Sequence, residues 1–299
     1  MNFSNFPPKS SDYWEAMPAL YKTFNSIQAL MLLIIFALTI KMIIDILRLI
    51  RDDLVQSDML TVITTPFNVA LCCALGNIFP RSADFLYSIG LVVLMSSLYR
   101  VISLLYNAYG GVNNFSSWLL SRGNGRIRLS VPPMCCCCKC LPSPSATPRN
   151  LRRLRWVAMQ SPLVRIVVQI ILLIMTMEEV PLDSKSNQLV TQIGLISTLF
   201  GIYITHVMLH NAKEFLDEHG MVVLLRSADV AQGLYTGLKS IFDLLARNSD
   251  FGNTDFMSSE ASGNFFFNFA ATVLFLILAI VQFIYVRPSR SKLFELRVL

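Results

Sequence analysis

Apolar residues run through this chain in long, nearly charge-free stretches joined by short polar segments, at a length that exceeds the core helices of most soluble domains. Runs at about 27–49, 59–79, 84–107, 157–177, 188–210, 221–246 and 264–286 each approach or exceed the roughly 20 residues that carry a helix across a bilayer. The pattern predicts an all-α bundle of seven transmembrane helices. The first and last runs are uninterrupted. The second contains Pro66 and Asn68, and the sixth carries Arg226, Asp229, Lys239 and Asp243, so these two rest on length and neighbours, and six spans is the simpler alternative. Residues 1–26 are then an extracellular segment, 27–286 one transmembrane domain with a loop at 108–156, and 287–299 a tail.

Composition fits this class: 54% of residues are hydrophobic and 15% charged, which excludes an ordinary soluble enzyme. The opening MNFSNFPPKSSDYWEAMP lacks the basic start and short apolar core of a secretory signal, so no cleavage is expected. Positive charge sets the orientation. With seven spans and the N-terminus outside, fifteen Lys and Arg residues fall in the inner segments (Arg48, Arg51, eight from Arg122 to Arg155, Lys213, Arg287, Arg290, Lys292 and Arg297) and five in the outer ones. The asymmetry predicts an outside N-terminus and a cytoplasmic C-terminus. Asn2 in Asn2-Phe3-Ser4 then becomes a glycosylation candidate.

The same orientation puts Cys135, Cys136, Cys137, Cys138 and Cys140 in the cytoplasm. Disulfides are disfavoured there by the reducing environment and by the strain of bridging adjacent cysteines. Four consecutive thiols converge poorly on one tetrahedral zinc, and no spaced C-x-x-C pair or His stands nearby. Reversible S-palmitoylation fits better, because Lys139 and the Arg149–Arg155 cluster add a polybasic signal to the acyl one. An inert low-complexity run is the remaining reading.

Tyr109-Gly110-Gly111, the cysteine run, and LRRLRWVAMQSPLVRIVVQI with Gln160 followed five residues later by Arg165 together resemble the organic solute transporter alpha-subunit family. The spacing of the seven spans, the basic exit THVMLHNAKEFL of the fifth and the basic tail extend the resemblance. Where that family carries an acidic residue after the Gly-Gly pair, this chain has Val112. The resemblance implies facilitated movement of steroid conjugates, bile-acid-like anions and related amphipaths across the plasma membrane, with a single-span beta-type subunit or a second copy as partner. It fits an invertebrate paralogue better than a vertebrate bile-acid carrier.

Apart from any family, ionisable groups inside a membrane mark function by default. Lys41 and Asp45, Lys239 and Asp243, and, one residue closer, Arg226 and Asp229 stand at spacings that allow pairing on one helix face. Lys41 near the inner end of its span can equally snorkel. Substrate-path candidates are Arg165, Gln169, Asn68, Arg226, Asp229, Lys239 and Asp243; Arg165, about six residues inside its span, suits an anion's carboxylate or sulfate. Pro66 suggests a kink, Cys72 and Cys73 small packing residues, and Gly233 with Gly237 a close helix contact, internal packing being the simpler reading. His206 and His210, four apart, need a third ligand to hold a metal and are read as structural, so no metal or cofactor is expected. No Walker loop, receptor triplet or catalytic constellation occurs, and no nucleic-acid partner is expected. The reading is therefore a facilitative solute carrier subunit in contact with membrane lipid; the alternative is a non-transporting scaffold or receptor-like protein acting through its cytoplasmic loop.

Overall fold

The computed structural model describes residues 10–122, 125–131, 143–178, 180, 184–219, 221–248, 257–286 and 294. Asn2 and all five cysteines of the run lie outside them. In chain order the helices are α1 (Ser10–Ala16), α2 (Ala19–Leu49), α3 (Asp53–Ile78), α4 (Ala83–Ala108), α5 (Val112–Arg122), α6 (Pro148–Met177), α7 (Lys185–Asn211), α8 (Lys213–His219), α9 (Val222–Asn248) and α10 (Ser259–Tyr285), with a 3-10 turn at Pro80–Ser82 before α4. Helices suit this composition because lipid cannot satisfy a backbone N–H or C=O, and a helix pairs nearly all of its own.

Local chemistry sets the ends. The Asp52 carboxylate accepts from the N–H groups of Leu54 and Val55 at 2.8 and 3.0 Å and starts α3; the hydroxyls of Ser184 and Ser258 do the same for α7 and α10. Gly110 and Gly111, at φ 72° and 109°, end α4: the Gly111 N–H reaches back to the Tyr106 carbonyl at 2.9 Å and the Gly110 N–H to that of Asn107 at 2.9 Å. Side chains rarely adopt such φ values, so the Gly-Gly pair has a structural reason of its own. α3 continues as a helix through Pro66, and α6 through Pro162.

Each predicted apolar run coincides with a helix. Among the described residues six helices, α2, α3, α4, α6, α7 and α10, are long and apolar enough to cross a membrane. α9 has the length, at 27 residues, but carries too much charge to qualify by composition. Side-chain placement departs from that of a soluble protein. Leu30, Leu33 and Leu47 of α2 and Val167, Ile170 and Ile174 of α6 are exposed, whereas Gln28, Thr39, Asp58, Asn77, Gln169, Thr198, Thr205 and Asn268 are buried. A lipid solvent produces this pattern.

The chain forms two compact units: the first is Met1–Lys41, Ile63–Leu94 and Val230–Ile284, the second Met42–Val62, Met95–Asp229 and Tyr285–Leu299. The first is centred on Ile35, Val69, Cys73, Leu91, Tyr235 and Phe275. Tyr235 stacks on Tyr87 with centroids 5.2 Å apart, and a methyl at Gly90 would stand 2.7 Å from the Tyr235 hydroxyl, so the glycine makes room for it. A smaller cluster joins Tyr13 and Met17 to Met257 and Phe265. Burial of Tyr13 pushes its phenol well above the ordinary range. In the second unit, α6 and α7 meet along small residues. A methyl at Gly201 would lie 2.6 Å from the Ser161 hydroxyl, which donates to the Ser197 carbonyl, and one at Gly194 would lie 2.6 Å from Nη1 of Arg165. Small residues let backbones approach where the hydrophobic effect cannot drive association.

Candidate functional site

In the first unit two clusters of polar groups stand out. Gln28 of α2 donates to the Thr272 hydroxyl at 2.8 Å and to the Asn268 carbonyl at 3.3 Å; Asn77 of α3 donates to Gln28 Oε1 at 2.8 Å; and the Asn268 amide donates to Asn77 Oδ1 at 3.0 Å. A methyl at Gly76 would stand 2.8 Å from the Asn268 amide nitrogen, so that glycine admits it. This closed set ties three helices together without a formal charge. The second place is Lys239. Its ammonium lies 2.5 Å from Asp243 Oδ1, 2.9 Å from Asn264 Oδ1 and 3.8 Å from Asp84 Oδ1, with the ring centroids of Tyr87 and Phe267 at 5.6 and 6.0 Å. The Lys239 side chain is only 12% exposed, while Asp84 at 64% and Asp243 at 41% reach outward. The paired reading of Lys239 and Asp243 holds, and both an aromatic wall and a second acid join it.

The second unit holds Arg165, Gln169, Arg226 and Asp229. Arg165, half-buried on α6, lays its guanidinium over Gly194 of α7, and Gln169 is buried one turn further along the same face. Arg226 and Asp229 make no direct ion pair although their spacing allows one: Asp229 is buried and Arg226 exposed. Asp229 instead places Oδ2 3.2 Å from Nδ1 of His206, which also faces the Ile202 carbonyl at 3.1 Å, and its Oδ1 is buried with no hydrogen-bond partner. His210 is exposed. Among the described residues no group of three His, Cys, Asp or Glu side chains gathers to hold a metal.

Asn68 is exposed on α3 and belongs to neither polar group of the first unit; Asn77, nine residues on, is the amide that turns inward. Gly233 and Gly237 also differ from expectation, since nothing lies within 4 Å of a methyl built at either. Among the described residues they make no close helix contact. Lys41 is exposed and Asp45 half-buried.

One constellation escaped the sequence reading. Asp58 of α3, 1% exposed, accepts from Arg100 Nη1 at 2.9 Å through one oxygen and from the Asn107 amide at 2.7 Å through the other. Asn107 also reaches Ser103, whose hydroxyl accepts from Arg155 at 3.2 Å, and Arg155 lies 5.7 Å over the Tyr99 ring. Asp58 stands one residue before the predicted start of the second span, outside the apolar runs that supply the intramembrane candidates. The signal that could have found it is Asp52 at the true start of α3, a capping residue six positions earlier.

A family model described as organic solute transporter Ostalpha matches residues 25–291. Organic solute transporter alpha-like protein 1 of Caenorhabditis elegans is 28% identical over 252 residues, which cover 84% of this chain and 65% of that relative. Alpha-like protein 3 of the same organism is 24% identical over 236 residues, covering 77% of this chain and 66% of the relative, and alpha-like protein 2 is 23% identical over 229 residues, covering 76% and 67%. The chain thus spans about two thirds of the length of the curated relatives it matches. No solved structure matches it. The family match runs from the first long helix to beyond the last, taking in the Gly-Gly turn, the Arg165 helix and the Lys239 cluster, and the chain belongs to the organic solute transporter Ostalpha family.

Proposed function

We propose that this chain is the seven-span, alpha-type subunit of a plasma-membrane organic solute carrier, with α9 as a true span, the N-terminus outside and the C-terminus in the cytoplasm. The observation that carries the reading is the polarity of α9. Val230, Leu234, Ile241 and Leu244 are exposed, while Asp229, Gln232 and most of the Lys239 side chain are buried. A surface helix of a soluble protein turns charge to water and apolar residues inward. α9 departs from that: it packs Leu224, Leu225 and Tyr235 inward and exposes Arg226, yet it also buries an acid and an amide and turns an apolar stripe outward, as a span bordering a polar interior does.

The solute is an amphipathic organic anion of the steroid-conjugate or bile-acid-like kind, moved down its gradient. Arg165 and Lys239 supply cations at membrane depth, and the basic inner face favours anions at the cytoplasmic entrance, which points to export. The family likeness supports a single-span beta-type partner. The run from Cys135 to Cys140 is its acylation patch, and Gln169, Asp229 and Asp243 border the path.

The test is uptake and efflux of a radiolabelled sulfated steroid in cells expressing the chain alone or with a candidate single-span partner. Flux above empty membrane is expected in at least one state, and Arg165→Gln is expected to lower it several-fold while surface expression holds. No flux in either state, with partner recruitment through residues 112–155 intact, would give the scaffold reading instead.

A further inference from the structure

From Phe85 to Met177 the chain contains no Asp or Glu, while ten Lys and Arg residues fall in the same interval. Arg100 is taken up by Asp58, and Arg155 by Ser103 and Tyr99. Five others, Arg126, Arg128, Arg149, Arg152 and Arg153, are exposed.

The fold brings these five together from two separate segments. Arg126 bridges Ser145; the Ile127 N–H donates to the Pro144 carbonyl at 2.8 Å and the Ala146 N–H to the Gly125 carbonyl at 2.8 Å. In this extended stretch Arg126 and Arg128 flank Ile127, which is 1% exposed, so both guanidinium arms stand on the outer side. Three residues beyond Ser145, α6 begins, and its first turns expose Arg149, Arg152 and Arg153 around Leu151, which is fully buried.

This platform is fixed from below. The Asn211 side chain clamps the Arg128 backbone twice, accepting from its N–H at 3.0 Å and donating to its carbonyl at 3.1 Å. The Tyr203 hydroxyl donates to the Leu129 carbonyl at 2.7 Å, and the buried Ser116 hydroxyl to that of Ala146 at 2.6 Å. Glu214, Asp217 and Glu218 of α8 are the acids that follow Asn211 in the chain. Trp156, 67% exposed on α6, is an aromatic residue of the kind that sits at headgroup level.

We infer that Arg126, Arg128, Arg149, Arg152 and Arg153 form a two-armed site for a polyphosphorylated lipid headgroup in the adjoining leaflet. Guanidinium forks match phosphate oxygens bidentately, and two arms on one ordered base suit a headgroup with more than one phosphate. A phosphoinositide bisphosphate has that chemistry; a lipid with a single charge does not need both arms.

The experiment uses the full chain in nanodiscs of phosphatidylcholine, alone, with a small fraction of phosphatidylinositol bisphosphate, or with phosphatidylserine at matched charge. Lipid retention is read by native mass spectrometry and affinity by titration of a fluorescent bisphosphate lipid. Arg126→Gln/Arg128→Gln and Arg149→Gln/Arg152→Gln/Arg153→Gln are each expected to weaken bisphosphate binding about tenfold or more. Their unfolding midpoints in phosphatidylcholine alone should match the parent, since all five side chains are exposed. Soluble inositol trisphosphate should compete only weakly, because it lacks the membrane anchor. Undiminished binding in either variant, equal retention of phosphatidylserine at matched charge, or displacement of the lipid by an acidic peptide at lower concentration would each overturn the site. No solute flux enters the measurement, so its failure is separate from failure of the carrier reading.

Discussion

In the first unit Gln28, Asn77, Asn268 and Thr272 close a set of hydrogen bonds that contains no charge; in the second, Asp58 and Asp229 carry carboxylates into the interior and meet them with Arg100, Asn107 and His206. The difference is one of completeness within each set rather than of the whole unit, since Gln232 Oε1 of the first unit is also buried with no hydrogen-bond partner among the described residues. Amides carry donors and acceptors on one group, so three helices can satisfy one another with nothing left over. The acids need partners from elsewhere, and those partners are half-exposed: the Arg100 side chain is 43% exposed and His206 38%. At Asp229 one oxygen has no hydrogen-bond partner at all. The neutral set is suited to hold helices, and the charged sets reach half-exposed partners.

One-atom exchanges break this comparison most directly. Asn77→Asp should have the largest effect. It removes the donor to Gln28 and the Phe265 carbonyl and places a carboxylate among acceptors where no cation stands, at a cost of about 3 kcal/mol. A large fall in unfolding midpoint in detergent is expected; an unchanged midpoint would show that the set is not a strut. Asp58→Asn is the converse and should cost less, about 1–2 kcal/mol, because the new amide still accepts one bond and Arg100 can turn to water. If Asp58→Asn proves the more damaging of the two, the ranking of neutral over charged is wrong. The smallest effect is expected for Lys239→Met. Its acids are largely exposed and regain water when the ammonium goes, so the loss should stay below about 1 kcal/mol of stability. Solute flux, by contrast, should fall several-fold, and a variant that kept full flux would remove Lys239 from the path.

Much of the fold was legible because lipid imposes a simple rule on sequence: a span needs length and apolarity, and every predicted run has its helix. The ends were less so. α2 begins at Ala19 and α6 at Pro148, eight or nine residues before the apolar runs, because a helix continues into the polar interface once nucleated. The site was legible only where both members of a pair share a helix, as Lys239 and Asp243 do. Asp58 with Arg100 and His206 with Asp229 join different helices, and no spacing within a sequence encodes that. Asn68 and Asn77 illustrate the same limit. Both are amides on α3, nine residues apart, and only the rotation of the packed helix decides which one turns inward.

The glycine beneath Arg165 carries a consequence for the evolution of this chain. Because a methyl at position 194 would occupy the space of the guanidinium, the two residues are mutationally coupled and cannot drift independently. Among related sequences the bulk allowed at 194 should follow the reach of the side chain at 165, so that the pair is inherited as one character written at two positions.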